Sequence, residues 1–583
     1  MKAHLVRLAL AAAVAVPTAA SAQQAPAVPP AESGGVVPLP ETTLPRTHTP
    51  VPTTPAITAG DLMTRLYIFA DDSMQGREAG TAGNVKGTDY IASEIKKMGL
   101  EPAGDSGTYF QTIPLVTRAL DGEPTFAVGG TALTPFADFL PLGPASVKDS
   151  AMQVVYGGDW GDSAHALSEE QAKGKLVVYS VPQGLSALRS ARRGKYADST
   201  AAAVALIVLD SLPKQYIPYF QRPVTFVNDP AMESRHAAFL ISNAAAAKLF
   251  TTPVAQLAPG ATGAVASVNA TYTLTPVPFP ARNVVGIVRG SDPKLRGEYV
   301  AIGAHNDHIG IGRMAVDHDS IRVWNHVVRP EGADDGDKEA TPEQQSEVDS
   351  LLAAYRAKHP GTARPDSINN GADDDGSGSV SVLEIAQHIS SMKKKPKRSI
   401  LFVWHVGEEK GLLGSAWFTD HPTVPRDSIV AQLNMDMIGR GDAYDETGRT
   451  KEGAPIHGGP GYVQLVGSRR LSTELGDIIE RVNKEGKHDL VLDYSIDANG
   501  HPANIYCRSD HYEYARYGIP ITFFTTGLHS DYHQVTDEPE YIDYEHMARV
   551  VNLVDDVAQH VANLDHRVVV DHPKPDPKGA CQQ

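Results

Sequence analysis

In the second half of the chain, short apolar runs alternate with stretches whose apolar residues recur every three to four positions. EYVAIGAH, SILFVWH and IVAQLNM are apolar runs of strand length, and each leads into a polar cluster. A continuous apolar run bounded by turn residues marks a strand buried on both faces, and helical stretches between such strands predict an α/β sheet. In open sheets of this kind ligands bind outside the carboxyl ends of the strands, so the polar clusters should meet along one edge. After NNGADDDGSGS, Val382, Ile385, Ala386 and Ile389 fall on one helix face, and the small residues of SGS allow close packing on the sheet. Nearer the start, Ile91, Ile95 and Met98 define another helix face, with Gly99 placed as its C-terminal cap.

The alternation is interrupted twice. Residues 120–276 carry MQVVYGG, GKLVVYSV, AVALIVLD and VTFVND, short strands separated by Ala-rich helical stretches such as SNAAAAKLF, which predicts an inserted small α/β or β-rich domain. Residues 311–368 form a second insertion, far longer than a loop of about a dozen residues, and are read as a lid or rim. Within it, Glu331 to Asp349 is rich in charge and poor in apolar residues, so Asp334 is expected to be solvated. The main domain then comprises residues 56–119 and 277–565, preceded by an extended Pro-rich linker at 23–55 and followed by a flexible tail at 566–583.

Composition narrows the setting. With 583 residues and 42% hydrophobic content the chain can bury more than one core. Lys2 and Arg7 flank an apolar core from Leu8 to Val16, and Ala20-Ser21-Ala22 supplies a small-residue cleavage signal, so residues 1–22 read as a secretory signal peptide. Export to a periplasm or the exterior is expected. No other apolar run reaches about 18 residues, so no membrane anchor is expected. A net charge of −17 argues against nucleic acid or an anionic membrane as partner. Two cysteines, Cys507 and Cys581, exclude a disulfide scaffold, and their spacing leaves open whether they pair.

The chemistry concentrates in the polar clusters. Glu408 and Glu409 follow the SILFVWH run, and adjacent side chains leaving a strand end diverge, so one can bind a metal while the other handles a proton. Ligand-type residues also stand at His305 and Asp307, at Asp373 to Asp375, at Asp436 and at His533. A second GADD, at residues 332–335, runs on into Glu, Lys and Pro with no apolar helical face, which favours the Asp373 cluster.

GAHNDH, NGADDDGSGSVSVLE, GEEKGLLGS, NMDMIG, RSDHYEYARYGIP and DYHQVTDEPEYID, in this order, resemble the zinc exopeptidases of the M28 family over about Asp61 to His560. The resemblance implies a three-layer α/β/α catalytic domain with a mixed sheet and two zinc ions per chain. It implies that His305 and Asp436 hold one ion, that Glu409 and His533 hold the other, and that Asp373 bridges them, with a cis peptide bond between Asp373 and Asp374. Imidazole nitrogen and carboxylate oxygen suit zinc, and two close cations need a shared carboxylate between them. Asp307 is implied as the carboxylate behind His305, with Asp374, Asp510 and His511 in supporting positions. Glu408 is implied as general base on a metal-bridging water. Tyr506 and Tyr532 both qualify as donors to the developing oxyanion, and the choice between them stays open. His308, His405 and His529 are taken as supporting or structural. The GR-x-AGT turn at Gly76 to Thr81 is also similar to the family's opening and is read as a connector without catalytic residues. The 120–276 insertion resembles a protease-associated (PA) domain.

These readings converge on an exported di-zinc exopeptidase acting on peptides, preferably an aminopeptidase. A free α-amine finds partners among the carboxylates of such a cluster, whereas a substrate carboxylate needs a cationic clamp. Arg440 and Arg508 are the chief candidates for that clamp, Arg508 above all. A carboxypeptidase or dipeptidase using the same site is the alternative, as is a non-catalytic peptidase-like binding protein, which the complete ligand set argues against. A cyclase with a single zinc is disfavoured for the same reason.

Overall fold

The computed structural model describes residues 44–583 apart from 143–144, 163, 183, 185–199, 229–235, 337, 361–362, 441–460, 578 and 580. The expected signal peptide at 1–22 and most of the Pro-rich segment lie outside the described residues.

A mixed nine-stranded sheet forms the centre. Its spatial order runs Glu101–Pro102, Ala281–Val288, Ser399–His405, Tyr299–His305, Ile429–Met435, Ile521–Thr525, Tyr462–Val466 and Val491–Asp493, with Phe110–Ile113 also paired to Ala281–Val288. The four strands from Ser399–His405 to Ile521–Thr525 are mutually parallel, so their carboxyl ends share one edge. Side chains alternate between the two faces. Ile400, Phe402 and Trp404 enter a core with Val382, Ile385 and Val550, whereas Leu401 and Val403 enter a second core with Phe418, Tyr514 and Phe523. Burial on both faces accounts for runs that are apolar throughout, and the result is a three-layer α/β/α body.

The helix that follows the triple aspartate spans Gly378–Ser391 and buries Val382, Ile385, Ala386 and Ile389. The helix Ala82–Lys97 buries Ile91 and Ile95, and Gly99 ends it at φ +77° while Leu100 N–H bonds Ile95 O at 3.0 Å.

The inserted body between Ile113 and Ala281 has its own core. Val154–Asp159, Leu176–Ser180, Ala203–Ile207 and Ala237–Ile241 run parallel, Phe139–Pro141 adds an antiparallel edge, and a four-stranded antiparallel sheet packs alongside. Phe126, Phe139 and Phe239 meet edge to face or tilted at its centre. The second insertion is a hairpin, Gly310–Asp317 with Pro365–Asn369, enclosing the helices His318–Val328 and Pro342–Lys358, whose Val323, Val328, Val348 and Leu351 form a small core of their own.

Two terminal expectations are corrected. From residue 44 the Pro-rich segment lies against the body, with Leu44 packed on the core and Thr53 donating to Gln387 Oε1 at 2.8 Å. The tail is tied down: Cys581 is disulfide-bonded to Cys507, Val568 is buried, and Tyr506 N–H donates to Gln583 Oε1 at 3.0 Å. No helix among the described residues is long and apolar enough to cross a membrane.

Candidate metal centre

The polar clusters meet at the shared carboxyl edge. His305 ends its strand with Nδ1 bonded to the Asp307 carbonyl at 3.0 Å, which turns Nε2 toward Asp374 Oδ1 at 3.1 Å and Asp436 Oδ1 at 3.6 Å. His533 Nε2 stands 3.0 Å from Asp374 Oδ2 and 2.9 Å from Glu409 Oε2. Neither Nε2 finds a hydrogen-bond partner of acceptable geometry, although both are buried against carboxylate oxygens. Imidazole nitrogens and carboxylate oxygens converging on one point, with no hydrogen bond of acceptable geometry at either Nε2, suit a cation site. His533 also holds φ +56°, a left-handed backbone that costs a non-glycine residue about 1 to 2 kcal/mol and recurs at functional sites.

The carboxylate that faces both histidines is Asp374, which corrects the reading of Asp373 as the bridge. Asp373 is turned away: its Oδ1 accepts Gly439 N–H at 2.6 Å and its Oδ2 faces His529 Nε2 at 3.1 Å. Asp375 is turned away on the other side, accepting Gly378 N–H at 2.8 Å and His305 N–H at 3.0 Å. It joins His305 and Asp436 in one buried acidic group, and His308, Asp374, Glu409 and His533 form the other. Because the oxygens of Asp375 already accept backbone N–H groups, Asp374 is the better placed of the two to serve both groups. The cis peptide bond lies between Asp374 and Asp375, one residue later than expected.

The supports differ from those expected. Asp307 holds His305 through its carbonyl, its carboxylate being 3.9 Å from Nδ1; that carboxylate instead accepts Gly407 N–H at 2.7 Å and Glu408 N–H at 3.2 Å, fixing the loop that carries the glutamates. His308 stands in the same candidate group, its Nδ1 at 2.7 Å from Glu409 Oε1, where it supports that carboxylate. Ser509 donates to Asp436 Oδ2 at 2.7 Å and accepts from Asn434 at 3.1 Å. Asp537 receives Asp373 N–H and Asp374 N–H at 2.9 and 3.0 Å. The GR-x-AGT turn is more than a connector: Arg77, fully buried, donates to Asn370 O at 2.6 Å and Gly371 O at 2.9 Å, bracing the segment directly before the aspartates.

Asp510 and His511 are engaged elsewhere. Asp510 Oδ2 lies 3.4 Å from His405 Nδ1, while His511 bonds the Tyr506 carbonyl at 2.8 Å and stacks on Phe523. Burial pushes the His511 imidazole down to about 3, as suits a neutral structural ring. Tyr506 is corrected as well, for it is buried in the second core with Arg470 over its ring. Tyr532 lines the cleft and stacks on His533 with ring centroids 3.9 Å apart.

The charge pattern separates the two glutamates. Burial and Asp374 would raise Glu409, yet His533 and His308 pull it down to about 2, the behaviour of a carboxylate held ionised. Burial lifts Glu408 well above the ordinary carboxylate range against the pull of His305, so it can hold a proton. For Asp374 burial is again the largest influence, but the facing imidazoles of His305 and His533 hold it well below that range.

The cleft beside Asp374, Glu408 and Asp436 is walled by Met437, Ile496, Ile505, Phe523 and Leu528, with Gln464, Thr525, Arg508 and Tyr532 adding polar atoms. Both clamp candidates already hold carboxylates. Arg440 Nη1 lies 3.2 Å from Asp531, and Arg508 is gripped at two points by Asp334, which is therefore ion-paired rather than simply solvated.

Residues 348–558 match the profile of Peptidase family M28. Leucine aminopeptidase 1 of Aspergillus oryzae (strain ATCC 42149 / RIB 40) is 30% identical over 203 residues, covering 32% of this chain and 47% of that protein. Probable leucine aminopeptidase 1 of Trichophyton verrucosum (strain HKI 0517) is 28% identical over 217 residues, 33% of this chain and 51% of the other. The chain thus spans about half the length of the curated relatives it matches. Among solved structures, an aminopeptidase from Aneurinibacillus sp. strain AM-1 aligns over 89% of this chain and 97% of its own, with 16% identity and a TM-score of 0.44.

Proposed function

We propose that this chain, whose residues 348–558 match the profile of peptidase family M28, is an exported zinc-dependent aminopeptidase that hydrolyses the first peptide bond of peptides with a free N-terminus. The observation that carries the reading is the single carboxylate of Asp374 facing His305 through one oxygen and His533 through the other. His305 and Asp436 would hold one zinc ion, Glu409 and His533 the second, with Asp374 between them and His308 behind Glu409. Zinc bound there supplies Lewis acidity to water and to the scissile carbonyl.

The chain's own residues account for the remaining steps. Glu408, lifted by burial and 4.0 Å from His305 Nε2, takes the proton of the attacking water and returns it to the leaving amine. The Tyr532 hydroxyl, at the cleft wall, is placed to donate to the developing oxyanion. The apolar wall from Met437 to Leu528 suits an apolar N-terminal side chain, and the buried carboxylates suit its α-amine. Aminopeptidase polarity is favoured over carboxypeptidase action because Arg440 and Arg508 already hold Asp531 and Asp334.

Matched peptides test the reading. Zinc-reconstituted protein should cleave a free peptide longer than a dipeptide and its C-terminal amide at similar rates, and N-terminal acetylation should abolish cleavage. Cleavage of the acetylated peptide with sparing of the amide would assign carboxypeptidase action instead.

A further inference from the structure

Arg508 stands in the cleft wall, 3.5 Å from the Tyr532 hydroxyl, and its partner comes from the 311–368 insertion. Nη1 donates to Asp334 Oδ2 at 2.6 Å and Nη2 to Asp334 Oδ1 at 3.1 Å, the two-point grip that a guanidinium makes with a substrate carboxylate.

The insertion is built to deliver that carboxylate. The turn Gly332–Asp335 seats on the loop that carries His533, with Ala333 N–H donating to Tyr532 O at 3.2 Å. Gly332 sits at φ +56°, and a Cβ there would lie 2.8 Å from the carbonyl oxygens of His529 and Tyr532, so the approach requires glycine. Asp335 closes the turn by accepting Glu331 N–H at 2.8 Å, which leaves Asp334 directed at Arg508.

We propose that Asp334 is a specificity-determining residue that, by occupying Arg508, excludes substrate carboxylates from the cleft. This rests on the aminopeptidase reading and extends it. Without Asp334 the guanidinium would be an open seat for a carboxylate beside the reacting bond; with it, an arriving carboxylate meets like charge and finds the seat filled. The side chains of Arg508 and Asp334 are 30% and 34% exposed, so water screens the effect in part. Such a carboxylate could belong to an acidic N-terminal side chain or to the C-terminus of a dipeptide.

The test compares kcat/KM for Leu-Gly amide, Leu-Gly and Glu-Gly amide with the zinc-loaded full chain, its Asp334→Asn and Arg508→Met variants, and a variant carrying both changes. Asp334→Asn should raise the ratio of at least one carboxylate-bearing substrate to Leu-Gly amide by roughly tenfold, and the substrate that responds identifies the source of the carboxylate. The gain should vanish when Arg508→Met is added. Arg508→Met alone, which leaves the Asp334 charge unpaired, should lower the same ratio. A general loosening of the insertion would move all three substrates together and leave the ratios unchanged. Ratios within about twofold of wild type in both single variants, or a gain that survives in the double variant, would overturn the proposal. A wild-type protein that cuts none of the three substrates would sink the aminopeptidase reading, and this proposal with it, a result distinct from unchanged ratios.

Discussion

Asp374 presents one carboxylate oxygen to each of two histidines, Oδ1 to His305 at 3.1 Å and Oδ2 to His533 at 3.0 Å. Asp373, its neighbour, spends both oxygens on Gly439 and His529. Only one of the adjacent aspartates can therefore serve both halves of the site.

Asp374→Asn should lose most of the bound metal, because an amide offers a single neutral oxygen where the site needs two anionic ones. Asp373→Asn should retain it, since an amide oxygen still accepts the Gly439 N–H. Elemental analysis after dialysis against dilute zinc distinguishes the two, and metal loss confined to Asp373→Asn would reverse the assignment.

Glu408→Gln should keep its metal and lose on the order of 10²–10⁴ in kcat, the usual worth of a positioned proton transfer. Glu409→Gln should bind metal more weakly, because the carboxylate held down to about 2 by His533 and His308 is the one adapted to a cation. Steady-state rates at saturating zinc, read beside metal titrations, separate a lost base from a lost ligand.

Arg77→Met should destabilise the protein by about 3 kcal/mol, since it leaves the carbonyls of Phe69, Asn370 and Gly371 without their shared donor. Metal affinity should fall as well, because the braced segment leads straight into Asp374. Urea unfolding of metal-free protein measures the first effect and zinc titration the second.

His388 Nδ1 lies 2.7 Å from Asp555 Oδ2, and that hydrogen bond raises the histidine above its ordinary value. A raised histidine contributes its stability in full below the unfolded value of about 6.5 and loses it as pH rises through the folded value. Wild-type stability should thus decline as pH rises above about 6.5, and His388→Gln should flatten the decline. With the His388 side chain 34% exposed the contribution stays within about 1 kcal/mol, resolvable by urea midpoints at closely spaced pH.

The linear pattern determined the layers and the edge. Apolar runs such as SILFVWH and IVAQLNM can satisfy both faces of a strand only inside a covered sheet, and the polar residues that follow them must then emerge at its carboxyl edge. The order of His305, Glu408, Glu409, Asp436 and His533 along that edge was legible for the same reason. What sequence could not decide was direction at single-residue resolution. Among three consecutive aspartates, adjacent side chains diverge, and only the folded backbone path determines that Asp374 faces inward while Asp373 turns to Gly439 and His529. Long-range supports were equally hidden. Arg77 reaches Asn370 across nearly three hundred residues, and Asp334 meets Arg508 from an insertion whose composition reads as solvated. Each depends on where a loop lands against a distant one, and only packing in three dimensions, such as the glycine contact that seats Gly332 on Tyr532, fixes that position.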